Sequence, residues 1–178
     1  RPTRTTSSAA SMCIRDRDDV DRALKSAEKG LEVWKKTPPW QRSYIIRRIA
    51  DKIRDKQDVL AKWMTLEVGK PFEEAKGEVN GAADIFEWNA EETKRIYGQT
   101  VESRFEDTRV HVYYQPVGVV AALVPWNFPL VLSARKISTA LAAGCSVIVK
   151  PDVITPGVVM LSLIHIDAAD EVVRVVLG

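Results

Sequence analysis

Two uncharged apolar runs, Val117 to Val124 and Cys145 to Val149, bracket a segment that opens at Pro129 and stops at Gly144. Each run has the length of a strand buried on both faces. Leu130 to Ala143 has the length of a helix, with Arg135 and Lys136 near its middle. Strand, helix, strand in that order is the parallel crossover unit of an α/β sheet. Ligands of such sheets sit beyond the carboxyl ends of the strands. The two strand ends, Val124-Pro125-Trp126-Asn127 and Lys150-Pro151, therefore point to one edge, where a site is expected.

Upstream, the pattern has helical period. Asp18 and Asp19 suit a helix start, and Val20, Leu24, Ala27, Leu31 and Trp34 share one face before Pro38-Pro39 stops it. A second helix is expected from near Trp40 to Gly69, with an inner stripe of Ile45, Ile49, Ile53, Leu60 and Trp63. Its charges, Arg47 to Lys56, read as a solvated face. A third helix is expected over 72–96, buried through Ala75, Val79, Ala82, Ala83, Phe86 and Ala90. Gly77 and Gly81 on it point to close packing against a neighbour. Val110, Val112 and Tyr114 then alternate with polar residues, as in a half-exposed strand. Pairing with Thr100–Phe105 through a turn at Glu106-Asp107-Thr108 makes a hairpin whose edges invite another chain.

Several function classes are excluded by composition. Hydrophobic residues are 46% and charged residues 28% of 178, which is globular. Net charge is +2, from 26 basic and 24 acidic residues, so there is no electrostatic footprint for nucleic acid. Tyr113 to Ala134 is uncharged and long enough to raise a membrane span, but Pro116, Pro125 and Pro129 interrupt it. No apolar core follows Arg1, so no secretory leader is expected. Two distant cysteines, Cys13 and Cys145, make no disulfide framework and suit a reducing, cytoplasmic setting. His111 and His165 lack metal-ligand spacing, so no metal is expected.

The ends read as foreign. Met12-Cys-Ile-Arg-Asp-Arg17 can be encoded by a DNA string whose reverse complement encodes Leu-Ser-Leu-Ile-His and then Ile or Met, as found at residues 161–166. Both hexapeptides can thus come from opposite strands of one element, which resembles the transposon end used to prepare sequencing libraries. Residues 1–17 and 161–178 are expected to be foreign, and 18–160 a natural insert truncated at both ends.

The strand ends also carry a family likeness. Pro116-Val-Gly-Val-Val-Ala-Ala-Leu-Val-Pro-Trp-Asn-Phe-Pro129 and Ala140-Leu-Ala-Ala-Gly-Cys-Ser-Val-Ile-Val-Lys-Pro151 resemble the signature segments of the aldehyde dehydrogenase superfamily. Thr65-Leu-Glu-Val-Gly-Lys-Pro71 and Glu87 to Gly98 look similar to its succinate-semialdehyde dehydrogenase branch. The resemblance implies N-terminal helices plus the first part of a parallel-sheet nucleotide-binding domain, truncated before the catalytic domain. The hairpin at about 99–115 would belong to the element that joins subunits into dimers or tetramers.

By the same resemblance, Asn127 donates to the oxyanion formed when a cysteine thiolate attacks a small aldehyde. A glutamate-activated water then releases the acid from the thioester. Val124, Pro125 and Trp126 match positions at the nicotinamide end of an NAD or NADP site, and Lys150 the lysine on the adenosine ribose. NAD-preferring members often carry glutamate where Val153 stands, so NADP is expected to be accepted; Asp152 beside it could partly restore a negative charge. The nucleophile and the base fall outside this chain. Cys145, at the start of an apolar strand, reads as a buried hydrophobe. Two other readings stay open: a superfamily member acting on another semialdehyde, and a non-catalytic nucleotide-binding or assembly module.

Overall fold

A computed structural model describes residues 17–164. Cys13, His165 and most of both suspected foreign ends lie outside the described residues.

Helix α1 spans Arg17–Trp34 and α2 spans Pro39–Asp55. Ala23, Ala27, Gly30 and Trp34 form the buried face of α1, whereas Val20 and Leu24, expected inside, are exposed. Alanine and glycine let α1 come close to the parallel strands it packs on. Trp34 closes that contact: its indole N–H donates to the Leu141 carbonyl at 2.9 Å. Leaving that buried acceptor unpaired would cost about 1–3 kcal/mol.

The single helix expected from Trp40 to Gly69 is two. After α2, Lys56 adopts φ −104° and ψ 16°, and α3 covers Gln57–Val68. The break lets Ile46, Ile49 and Ile53 of α2 and Leu60, Ala61 and Met64 of α3 all enter the core. Trp63, expected in the stripe, is left exposed. Gly69 ends α3 at φ 69°, its N–H donating to Thr65 at 2.9 Å, a left-handed stop as expected. Helix α4 runs over Phe72–Thr93 and buries all six residues assigned to its inner side. The charged face of α2 is not simply solvated. Arg47 pairs with Glu87 at 2.6 Å and with Glu91; Arg54 pairs with Asp84 at 2.8 Å and Glu87 at 2.6 Å.

Strands β1 (Gln99–Glu102) and β2 (Arg109–Val112) form the expected antiparallel hairpin, with Val101 opposite Val110. Asp107 turns it at φ 58°. Both strands are exposed except at Val112, which is half-buried.

The crossover follows as β3 (Val119–Leu123), α5 (Pro129–Ala142) and β4 (Ser146–Lys150). β3 and β4 are parallel, in register from Val119 opposite Ser146 to Leu123 opposite Lys150. A further helix, α6 over Pro156–Ile164, packs against α3 and α5. β3 is not buried on both faces. Ala122 and Val124 face the core, while Ala121 and Leu123 are exposed. Gly81 of α4 faces α5, the Val131 methyl standing 3.7 Å from where its Cβ would be, whereas nothing crowds Gly77. Among the described residues no helix is long and apolar enough to cross a membrane, and no cluster of three or more His, Cys, Asp or Glu could hold a metal ion.

Candidate functional site

The parallel register brings both expected strand ends to one edge. Leu123 is the register partner of Lys150, and the Val124 N–H donates to the Lys150 carbonyl at 3.0 Å. Beyond this rung the chain leaves β3 through Pro125, Trp126 and Asn127, and leaves β4 through Pro151, Asp152 and Val153. Val124 is buried; Pro125, Trp126, Asn127 and Val153 are exposed. Lys136 of α5 donates to the Leu123 carbonyl and ties the end of β3 to the helix that follows.

Lys150 is half-buried, and its ammonium finds only the Pro151 carbonyl, at 3.3 Å. It has no carboxylate partner among the described residues, so its donors are open to ribose hydroxyls or a phosphate. The Asp152 carboxylate is engaged: it accepts the Ile154 N–H at 3.0 Å and shapes the turn into α6. Val153, 58% exposed, places no charge at the edge. These residues fit a nicotinamide dinucleotide.

Asn127 opens elsewhere, onto a cleft of about 520 Å³ between α4 and α5. Lys70, Glu78, Phe128, Val131 and Arg135 share its wall, and Gly77 leaves its α4 side unfilled. Pro125, Trp126, Lys150 and Val153 do not line it. The Asn127 side-chain amide is exposed and makes no hydrogen bond among the described residues. Arg135 stands two helical turns along α5 on the same wall, with no ion pair among the described residues.

Sequence reasoning missed two carboxylates that hold this region. Glu78 of α4 accepts the Leu130 N–H at 3.0 Å and the Val131 N–H at 3.3 Å, at the start of α5. Glu67 of α3 accepts the Gly157 N–H at 2.6 Å and the Val158 N–H at 3.0 Å, at the start of α6. Burial pushes the Glu67 carboxyl above its ordinary value, and the two backbone donors oppose that rise. A signal for Glu78 existed: it falls on the buried stripe between Ala75 and Val79, where a carboxylate needs partners. Cys145 is buried at the amino end of β4. Five strand residues at about 3.3 Å each put it roughly 16 Å from the functional edge.

The sequence profile described as "Aldehyde dehydrogenase family" matches residues 1–178. The succinate semialdehyde dehydrogenase of Acinetobacter baylyi is 49% identical over 140 residues, 79% of this chain and 29% of that protein. The NADP(+) succinate-semialdehyde dehydrogenase GabD of Escherichia coli K12 is 45% identical over 139 residues, 78% of this chain and 29% of that protein. The crystal structure of betaine aldehyde dehydrogenase from Staphylococcus aureus in complex with NAD+ superposes with a TM-score of 0.86 at 31% identity, covering 91% of this chain and 33% of that one. The chain thus spans about a third of the length of the relatives it matches. With a parallel crossover of β3, α5 and β4 and a family profile that matches residues 1–178, the chain belongs to the aldehyde dehydrogenase family.

Proposed function

We propose that the chain is the N-terminal third of an NAD(P)-dependent dehydrogenase that oxidises a semialdehyde bearing a carboxylate, succinate semialdehyde in the first instance, to the acid. The observation that carries this is an Asn127 amide and an Arg135 guanidinium on one cleft, neither with a partner among the described residues. The amide donates to the aldehyde oxygen as negative charge develops there, a contribution worth about 10²–10³ in rate. Arg135 meets the carboxylate at the other end of a short substrate through a charge-assisted, bidentate pair. Lys150, Trp126 and Val153 hold the dinucleotide, and the absence of a carboxylate at Val153 admits NADP. When bound, the cofactor supplies the hydride acceptor.

The thiol that forms the thioester and the base that activates water lie outside these residues, because Cys145 is buried at the wrong end of β4. The 178-residue chain alone is therefore inactive. Cysteine-dependent reduction of NAD(P) by the purified chain would contradict that. Residues 18–160 are read as part of the nucleotide domain, with foreign segments at 1–17 and 161–178. The exposed β1–β2 hairpin supports a role in homo-oligomer assembly, and the sparse cysteines support a cytoplasmic enzyme.

The test uses the complete enzyme that carries this segment. Asn127→Ala is expected to lower kcat at least a hundredfold with cofactor affinity retained. Arg135→Met is expected to raise KM for succinate semialdehyde at least tenfold and to leave KM for an uncharged aldehyde of equal length unchanged. Equal changes for both aldehydes would remove the carboxylate from the reading. Retained kcat in Asn127→Ala would remove the oxyanion role.

A further inference from the structure

The start of α5 is capped in an unusual way. Its N-cap is Phe128, which has no side-chain acceptor, and Pro129 brings no N–H. The Leu132 N–H reaches the Phe128 carbonyl at 2.9 Å. That leaves the Leu130 and Val131 N–H groups, and both go to one oxygen of Glu78, 52 and 53 residues away in sequence. The other oxygen of Glu78 takes the Lys70 ammonium. The same ammonium lies 4.1 Å from the centroid of the Phe128 ring. The Glu78 side chain is 2% exposed and that of Lys70 13%. So a buried carboxylate, a helix start, an ammonium and an aromatic face form one closed set.

Asn127 is covalently next to Phe128 and has no hydrogen bond of its own among the described residues. Its amide can point consistently only if the backbone on either side is held. Lys136 holds the Leu123 carbonyl on the strand side. On the helix side, the set built on Glu78 anchors the backbone from another element, beside the local bond from the Ser133 hydroxyl to the Pro129 carbonyl. We propose that Glu78 and Lys70 are positioning residues for the Asn127 amide, fixing the turn from which it donates to the oxyanion. The proposal rests on the oxyanion role proposed for Asn127. It assigns the pair a kinetic consequence that an ordinary structural ion pair would lack. An oxyanion donor works because it is oriented before the charge develops, and small misplacements of a reacting group cost up to about a hundredfold in rate.

A double-mutant cycle in the complete enzyme tests it, with kcat, cofactor affinity and thermal unfolding read for each variant. Glu78→Gln keeps an acceptor for the two N–H groups and removes the charge that holds Lys70. It is expected to lower kcat at least tenfold in the parent enzyme, with NAD(P) affinity unchanged, and to leave kcat unchanged in an Asn127→Ala background. Lys70→Arg is expected to keep most of kcat, and Lys70→Met to lose it as Glu78→Gln does. Should Glu78→Gln fail to fold, Lys70→Met, which leaves the cap in place, enters the same cycle. The same fold-loss with and without Asn127, or no loss in either, would overturn the positioning role alone. A normal kcat for Asn127→Ala would overturn the oxyanion role and this proposal with it.

Discussion

The Val124 N–H donates to the Lys150 carbonyl at 3.0 Å, one rung past the last register pair of the parallel strands. This bond joins the loop that carries Asn127 to the loop that carries Lys150. The backbone of each loop is thereby fixed while both side chains stay available. Lys150→Met should therefore weaken NAD(P) binding without moving the β3 loop. A hydrogen bond to a charged group is worth about 1.5–3 kcal/mol, so at least a tenfold rise in Kd is expected. Nicotinamide or tryptophan fluorescence titration of the complete enzyme measures it. An unchanged Kd would take Lys150 out of the cofactor site.

Val153→Glu sets a carboxylate at an exposed position of the same edge. It should repel a 2′-phosphate and offer an acceptor to ribose hydroxyls. NADP affinity is expected to fall at least tenfold while NAD affinity holds or rises. Comparable loss for both cofactors in parallel titrations would refute NADP acceptance through this position.

Gly144→Ala should be among the most disruptive small substitutions in the chain. Gly144 joins α5 to β4 at φ 85°, where a side chain costs about 1–3 kcal/mol in backbone strain alone. An added Cβ would also lie 2.5 Å from the Arg42 guanidinium and 2.9 Å from Pro116. Arg42 is itself buried, and burial holds its pKa below the ordinary arginine value. A lower melting temperature and poor soluble yield are expected. By contrast Gly77→Ala meets nothing within 4 Å and should melt no lower than the parent.

Two sets of glutamates give the pH dependence of stability opposite signs. The Arg54 and Arg47 guanidiniums hold Glu87 below its ordinary value, and Lys94 and Arg47 do the same for Glu91. Their contribution is present above the unfolded value and is lost as pH falls through the folded values. Glu67 is raised by burial, so its contribution is present below the unfolded value and is lost as pH rises through the raised one. Melting temperature should thus fall on both sides of the ordinary glutamate range. Glu67→Gln is expected to flatten only the higher-pH limb, and Arg54→Met to flatten only the acid limb. Thermal melts across pH that show the same limbs in both variants would contradict this assignment.

Local chemistry in the sequence determined the crossover itself. Pro129 and Gly144 bound α5, Lys150-Pro151 ends β4, and the period of Ala75, Val79, Ala82 and Phe86 sets the inner face of α4. These features are legible because each depends on a residue's own dihedral preference or on spacing along one element. The position of Asn127 and Lys150 at strand ends is legible for the same reason, whereas the roles proposed for them rest on the family resemblance of the segments that hold them. Tertiary structure decided what no spacing encodes. It split α2 from α3 at Lys56 so that both could reach α4, and it turned alanine rather than Val20 and Leu24 inward on α1. It also left one face of β3 open, and it sent Arg47 and Arg54 across to α4. Above all it supplied the caps of α5 and α6 from Glu78 and Glu67, 52 and 90 residues distant at their nearest partners. A helix start must satisfy its N–H groups, but the backbone does not specify which acceptor arrives; only the packing of one element on another does.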